Sequence, residues 1–567
     1  MTDPASAPTP GGTGWWRDLL WLALGFGTLN FFLLGWLPLA NPDEARYAGI
    51  PREMLAAGDW VMPRLNAVPY FEKPPLVYWT VGLARELFGP GEFAARLTPA
   101  LFGLIGIFLT YATGRRLYGR IAGLASAIVL GTALLYFVLS RILLLDMAVS
   151  VLMSAALMCF ILAVGEASGT RRRLLFYGLY ASAALATLAK GLIGFLIPGA
   201  VMFLWLLVFN QWRRLVPLYL PSGLLVFLAI AAPWHVLAAQ RHPAWAEFYF
   251  VHEHWSRFTT TAHGRFEPWW FFFPILLLGL FPWMGFVAGA VRESVAGGWA
   301  RRKENAGAWF MLTWAIFVFL FFSKSQSKLI PYILPVLPPL ALLTGAWLAR
   351  HWQDRTSTPL RVGLGITVFF CGLLATALVV VVLKPGLIRD AEQVAALRPY
   401  ALAMAAILLI GGIGAHVFSR RHGARTGFVA IVATTGVFYC LLLLARPHIE
   451  RAGTKELALV ARAKVAPADR VYHYWAFFHD FVYYTEQPVG LVSYVDELEV
   501  QFLDPAERAR RFIDDAELRR QWAGPGRVWL LVRQRDMRHE KSIFADPAFR
   551  YHLIAATRSH SLLSNQP

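Results

Sequence analysis

Apolar stretches of 18 or more residues recur from residue 15 to about residue 445. Each is long enough to cross about 30 Å of hydrocarbon as an α-helix. They predict about 13 transmembrane helices, near 16–38, 96–113, 121–139, 147–165, 174–189, 192–210, 215–238, 269–290, 307–322, 329–349, 362–383, 400–418 and 427–445. The first, WLALGFGTLNFFLLGWLPLA, is longer than a signal-peptide core and has no small-residue cleavage site, so it is read as a retained helix. Between the first two spans lies a long segment, 40–95. Within it DEARYAGIPREMLAAGDW and PPLVYWTVGLARELFG place apolar residues at three and four spacing with charges opposite, which predicts two amphipathic helices lying in the interface. Pro74 and Pro75 open the second, where a missing N–H is tolerated. From 446 onward the apolar runs shorten and alternate with polar helices: RVYHYW, FFHDFVYYT, PAERARRFIDDAELRRQWAG, RVWLLVRQR. That rhythm predicts a soluble mixed α/β domain over 446–567. The expected architecture is an all-α polytopic membrane domain over 1–445, with non-cytoplasmic loops at 40–95 and 239–268, followed by that domain.

Composition agrees. Of 567 residues, 57% are hydrophobic and 16% charged, and the mean hydropathy is +0.49. The three cysteines, Cys159, Cys371 and Cys440, fall inside apolar spans and build neither a disulfide framework nor a CxxC metal pattern. A net charge of +18 suggests an anionic partner until the basic residues are placed. With a cytoplasmic amino terminus, every second loop is rich in Arg and Lys: Arg115, Arg116 and Arg120; Arg171 to Arg173; Arg213 and Arg214; Arg301, Arg302 and Lys303; Arg350 and Arg355; Arg420, Arg421 and Arg425. The positive-inside bias accounts for this charge without nucleic acid. The same map gathers segment 40–95, Asp146, Lys190, the 239–268 loop, SKSQSK at 323–328 and the tail on the opposite membrane face.

Ionisable groups at membrane depth are costly, so those on that face are candidates for chemistry. Asp43 and Glu44 start the first amphipathic helix, where capping is the plain alternative. Asp146 sits in YFVLSRILLLDMAVSVLM, either paired with Arg141 about one turn away or sharing a site with Asp43. Lys73, Lys190, Lys324, Lys328 and Tyr332 suit a phosphate pocket, against snorkelling as the alternative for any single lysine. His-Glu-His at 252–254 lacks the HExxH spacing of a zinc protease helix. No Walker loop, strand-borne GxGxxG or GxSxG elbow is present, which argues against a nucleotide-driven pump and against a nucleotide donor.

The stretch NPDEARYAGIPREMLAAGDWVMPRLNAVPYFEKPPLVYW closely resembles the first large loop of the bacterial aminoarabinose lipid A transferases. These belong to the glycosyltransferase C (GT-C) superfamily, together with protein O-mannosyltransferases. The resemblance continues through LLLD at 143–146, AKG at 189–191, APWHVLAAQ at 232–240, the EHxxRF of Glu253, His254, Arg257 and Phe258, and SKLIPYILPVLPPLALL at 327–343, then fades beyond about residue 350. It implies transfer of 4-amino-4-deoxy-L-arabinose from undecaprenyl phosphate to a lipid A phosphate, on the periplasmic side of the bacterial inner membrane. The product is less anionic and binds polymyxin and other cationic peptides less well.

By position, Asp43 matches the acid opening the first-loop motif, Asp146 the acid at the start of the fourth span, Lys73 the lysine after the first-loop glutamate, and Lys328 and Tyr332 the KLxxYxLP pair. Leaving-group chemistry calls for an anion cradle, expected from Lys73, Arg257, Lys328 and Tyr332; Glu44 and Lys190 are carried as further possible site residues. No cofactor is required if lysines and arginine neutralise the phosphate. Because some superfamily relatives use a divalent ion, Glu72 and His254 are carried as its candidate ligands. The rival readings are another envelope glycosyltransferase, such as a protein O-mannosyltransferase, and a lipid flippase. The absence of a second DEARYAG or EKPP copy counts against the repeated halves common in transporters.

Overall fold

The computed structural model describes residues 14–250, 267–355, 357–384, 387, 390–449, 453–495 and 497–567. Among the described residues up to 449, the regular structure is helical apart from the two-residue antiparallel strands β1 (Arg64–Leu65) and β2 (Val68–Pro69). Among the described residues eight helices are long and apolar enough to cross a membrane, nine if one bent pair is a single span. Helix Leu145–Gly165 is central: nearly all its side chains are buried, against Glu92–Tyr118 and Thr170–Lys190. The last three, Thr358–Leu383, Ala391–His422 and Ala424–Ile449, pack side by side and leave most of their apolar surface outward, as lipid-facing helices do. Small residues set the closest approaches. A Cβ on Gly345 would strike the backbone of Ser126 in helix Arg120–Thr132, so the two helices touch there only because Gly345 has none.

Two of the spans expected to be continuous are broken. The 121–139 stretch divides into Arg120–Thr132 and Leu134–Leu139, and the 269–290 stretch into Phe272–Gly279 and Met284–Ser294, bent by 103°. Pro282 lies in the second break and cannot donate to a helical ladder. The backbone groups freed by the two breaks are satisfied locally: Leu134 N–H donates to Phe281 O at 3.0 Å and Thr367 Oγ1 to Pro282 O at 3.0 Å.

The basic loops meet one another at one end of the bundle. Arg116 and Arg171 share Glu166 at 2.9 and 3.4 Å, and Arg172 donates to the carbonyls of Arg214 and Pro217. Phe209 contacts Trp299, Gly307 approaches Tyr118, Arg350 pairs with Glu293 at 2.8 Å, and Ala424 N–H donates to Asp354 O. The alternate loops meet at the other end, where Trp234 Nε1 donates to Val61 O at 2.8 Å and Arg241 pairs with Asp59. The expected division of loops between two faces is therefore present in the packing.

The chain after 449 forms a mixed six-stranded sheet in the order β5-β4-β3-β6-β8-β7, with β3 (Arg470–Tyr474), β4 (Gly490–Val492), β5 (Phe512–Ile513) and β6 (Val528–Arg533) parallel and the hairpin β7 (His552–Ala556)/β8 (His560–Ser564) antiparallel on one side. It docks on the first loop. Helix His479–Thr485 lies against helix Asp43–Ala56, Arg52 donates to Val482 O at 2.6 Å, Asn41 to Asp480 at 2.6 Å, and Asn66 and Val489 exchange two hydrogen bonds. Helix Asp43–Ala56 is thus covered on both sides. Its buried residues include Glu44, Arg46 and Arg52, which an interfacial amphipathic helix would have left in water.

Two histidines in this sheet make its stability acid-sensitive. Burial holds His473 well below the usual histidine range and pushes His560 down to about 4 from an ordinary 6.5. Both are neutral when folded and take up protons when unfolded, so their contribution is present above about pH 6.5 and is lost as pH falls toward 4. Limited proteolysis of the intact protein is expected to release the C-terminal region several-fold faster at about pH 4.5 than at pH 7. Equal release at the two pH values would show that neither histidine is linked to docking or folding.

Candidate active site

Helix Asp43–Ala56 opens on two adjacent acids with opposite surroundings. The Asp43 side chain is 48% exposed and pairs with Arg46 one turn on, whereas that of Glu44 is 2% exposed. Glu44 Oε1 accepts from Arg96 Nε at 2.8 Å and Leu143 N–H at 3.0 Å, and Oε2 from Arg96 Nη2 at 2.7 Å and Ala40 N–H at 3.0 Å. Burial alone would raise this carboxyl, but Arg96 and the two amides bring it below the ordinary value. Glu44 is thus not a helix cap: both its oxygens are taken up by Arg96 and two backbone amides. It ties the start of the first-loop helix to span Glu92–Tyr118 and to the LLLD segment, and so carries the Asp43 motif toward the Asp146 motif.

Arg46 is buried between two acids, Nη2 on Asp43 and Nη1 on Glu497 from the C-terminal region. Around it stand three tyrosines, Tyr70 and Tyr78 buried and Tyr47 partly so. The guanidinium lies 5.0 Å from the Tyr47 ring, Tyr47 and Tyr78 are 6.4 Å apart, and burial with the nearby Glu72 and Glu497 charges pushes the Tyr70 hydroxyl well above its usual range. The Tyr70 and Tyr78 hydroxyls meet no hydrogen-bond partner among the described residues. Buried hydroxyls in that condition are suited to a polar guest such as a sugar.

The second acid has a different partner from the one expected. Asp146 pairs with Lys190, and the Lys190 ammonium lies 4.6 Å from the centre of the Tyr332 ring. Arg141 turns away and donates to the carbonyls of Leu29, Asn30 and Phe32. The alternative of an Asp146–Arg141 pair is excluded for a plain geometric reason: residues 140–144 form a turn, so the one-turn spacing of a continuous helix does not apply. The structure does bring Asp146, Lys190 and Tyr332, from three separated motifs, into one cluster.

Lys328 is buried, and its Nζ donates to the carbonyls of Ser325 and Glu267, both at 2.7 Å, while Lys324 points outward. Burial lowers the Lys328 ammonium from its ordinary range and the Glu267 charge opposes the shift. Lys73 lies beside Glu72 at 3.6 Å and donates to the Glu72 carbonyl. Arg257 and His254 lie outside the described residues. Among the described residues no three His, Cys, Asp or Glu side chains are arranged to hold a metal ion, and Glu72 faces a lysine.

A separate cleft of about 640 Å³ opens at the seam with the C-terminal region, lined by Arg52, Arg64, Arg85, Glu53, Glu86 and Glu486. It contains none of the residues expected from the sequence. Sequence reasoning missed Arg46, Glu497, Tyr70 and Tyr78. For Arg46 a signal existed, since it lies one helical turn after Asp43. For Glu497, 451 residues away from Arg46, there was none.

Comparison with known proteins adds the following. Residues 72–236 match the dolichyl-phosphate-mannose-protein mannosyltransferase family. The undecaprenyl phosphate-alpha-4-amino-4-deoxy-L-arabinose arabinosyl transferase of Edwardsiella ictaluri (strain 93-146) is 34% identical over 349 residues, covering 61% of this chain and 62% of that protein. The chain thus spans somewhat less than two thirds of that relative. The transferase of the same description from Pectobacterium carotovorum subsp. carotovorum (strain PC1) is 31% identical over 426 residues, 73% of this chain and 74% of the relative. The crystal structure of ArnT from Cupriavidus metallidurans bound to undecaprenyl phosphate superposes with a TM-score of 0.83 at 29% identity, covering 98% of both chains.

Proposed function

Because this chain belongs to the family of undecaprenyl phosphate-α-4-amino-4-deoxy-L-arabinose arabinosyl transferases, we propose that it transfers that sugar from undecaprenyl phosphate to a phosphate of lipid A. The observation that supports the reading is the meeting of Asp146, Lys190 and Tyr332 from three separated motifs, in a chain similar along nearly its whole length to a protein that holds undecaprenyl phosphate. The opposite end carries the arginine-rich loops and is assigned to the cytoplasm, and the reaction is accordingly proposed on the periplasmic side of the inner membrane.

In the proposed reaction an oxygen of the acceptor phosphate attacks the anomeric carbon. The bond from that carbon to the donor phosphate oxygen breaks, and undecaprenyl phosphate leaves with the bonding electrons. Charge builds up on the leaving phosphate, and fixed cations stabilise it. Lys73 and Lys328 are assigned to that task with the Tyr332 hydroxyl, as is Arg257 from outside the described residues. Asp43 orients the acceptor and takes its last proton where one remains. A lipid A phosphate is already ionised near neutral pH, so positioning is the larger part of this role. Asp146 fixes Lys190 beside Tyr332 and offers the aminosugar ammonium a carboxylate when Lys190 turns to phosphate.

Purified protein in nanodiscs, given undecaprenyl phosphate-linked aminoarabinose and lipid A with a chelator present, is expected to yield lipid A heavier by one aminopentose. The match of residues 72–236 favours a second reading, mannosyl transfer to protein. Polyprenyl phosphate mannose with a serine peptide is therefore the comparison arm. Product in that arm alone would reverse the assignment, and loss of transfer on chelation would restore a metal to it.

A further inference from the structure

The C-terminal region touches the first loop at many points, but among the described residues it reaches the ion pair of Asp43 at one. Arg46 is 6% exposed and its two terminal nitrogens point in different directions, Nη2 to Asp43 on its own helix and Nη1 to Glu497. Glu497 also stands 3.7 Å from His479 Nε2, on the helix whose start is fixed by Asn41 and Asp480. Other ion pairs of the C-terminal region, Arg85 of the first loop with Glu486, and Arg558 with Asp390 and Glu392 at the start of helix Ala391–His422, are more exposed and do not involve Asp43 or Arg46.

A planar guanidinium held by two carboxylates has a fixed orientation. Its single charge is also divided, so the pair of acids keeps a net negative charge. Without the second acid, Arg46 would close on Asp43 alone as an i, i+3 pair, and Asp43 would be neutralised and turned along its own helix. We propose that Glu497 is a positioning residue for the transfer reaction, holding Arg46 from the C-terminal side so that the half-exposed Asp43 carboxylate stays charged and directed at the acceptor. The C-terminal region then completes the active site and is more than a cap over it. The proposal rests on the reading of Asp43 given above.

The test uses the full-length protein in nanodiscs with undecaprenyl phosphate-linked aminoarabinose and lipid A. Glu497→Gln is expected to lower kcat about tenfold while the donor KM stays within about twofold, because a displaced orienting group costs rate and leaves donor binding alone. Glu497→Asp, which keeps the charge, is expected to regain at least about a third of the wild-type kcat. Arg558→Ala, at the outer edge of the interface, is expected to keep it all. Tryptic release of the C-terminal region should be the same in Glu497→Gln as in wild type. A kcat within twofold of wild type in Glu497→Gln overturns the proposal. So does a fall in kcat that comes with faster tryptic release, since Glu497 would then serve docking only. Wild-type protein that transfers no sugar would sink the functional reading first, and this proposal with it.

Discussion

Asp43→Asn is expected to lower sugar transfer about 100-fold while leaving the yield of folded protein unchanged. Both halves follow from where the side chain stands. Asp43 is half exposed at the first turn of its helix, and its ion pair with Arg46 has one partner open to water, so loss of that pair costs no more than about 1 kcal/mol. Asparagine keeps the shape and an oxygen acceptor for Arg46 but removes the charge. For activity, loss of a group that accepts a proton in the transition state costs on the order of 10² to 10⁴ in rate. The low end is expected because an ionised phosphate acceptor has little need of a base. Initial rates should be compared at matched amounts of monodisperse protein. Transfer at the wild-type rate by a well-folded Asp43→Asn would remove Asp43 from the reaction.

What the sequence made legible was what depends on short-range pattern. Apolar periodicity located helix in every stretch read as a span, and the alternation of Arg-rich loops sorted the loops into the two groups that the packing brings together. The first-loop helices begin where expected, at Asp43 and at Leu76 just after Pro75. The motif residues Asp146, Lys190 and Tyr332 were each singled out as costly at membrane depth, and they do meet.

The failures share a cause: they concern partners distant in sequence, or places where a local rule assumed an unbroken helix. The alternative of an Asp146–Arg141 pair needed a helix through residues 140–144, where the chain turns. The interfacial reading of helix Asp43–Ala56 needed an aqueous side, and that side is covered by residues more than 400 positions later, among them Val482 and Glu497. Arg46, Arg52 and Glu44 looked like the polar face of an amphipathic helix. Each is instead a buried charge with a partner, a distinction that periodicity cannot make.

Glu44→Ala is expected to destabilise the protein by about 3–5 kcal/mol, the cost of breaking a buried ion pair from one side. Arg96 is 1% exposed. Its other acceptors are the carbonyls of Leu34, Leu37 and Pro38, which stabilise a guanidinium but do not neutralise it. Truncation also strands the amide of Leu143, a further buried donor without an acceptor. Glu44→Gln retains one acceptor oxygen and is expected to lose less. Replacing Glu44 and Arg96 together by methionine should recover part of the loss, because the charge left alone in the single variant is then gone. The lowered carboxyl of Glu44 gives the same answer along the pH axis: its contribution is present above the ordinary value of 4.5 and fades as pH falls through the lower folded value. Thermal unfolding in detergent, followed by tryptophan fluorescence, reads all three variants. If Glu44→Ala melted like wild type but transferred no sugar, Glu44 would belong to the reaction and the clamp would be wrong. The expected pattern is the reverse of Asp43→Asn, so the two variants test whether neighbouring acids on one helix separate chemistry from architecture: in the proposed reaction the half-exposed Asp43 acts on the acceptor, while Glu44, locked on Arg96, ties the first-loop helix to the LLLD segment.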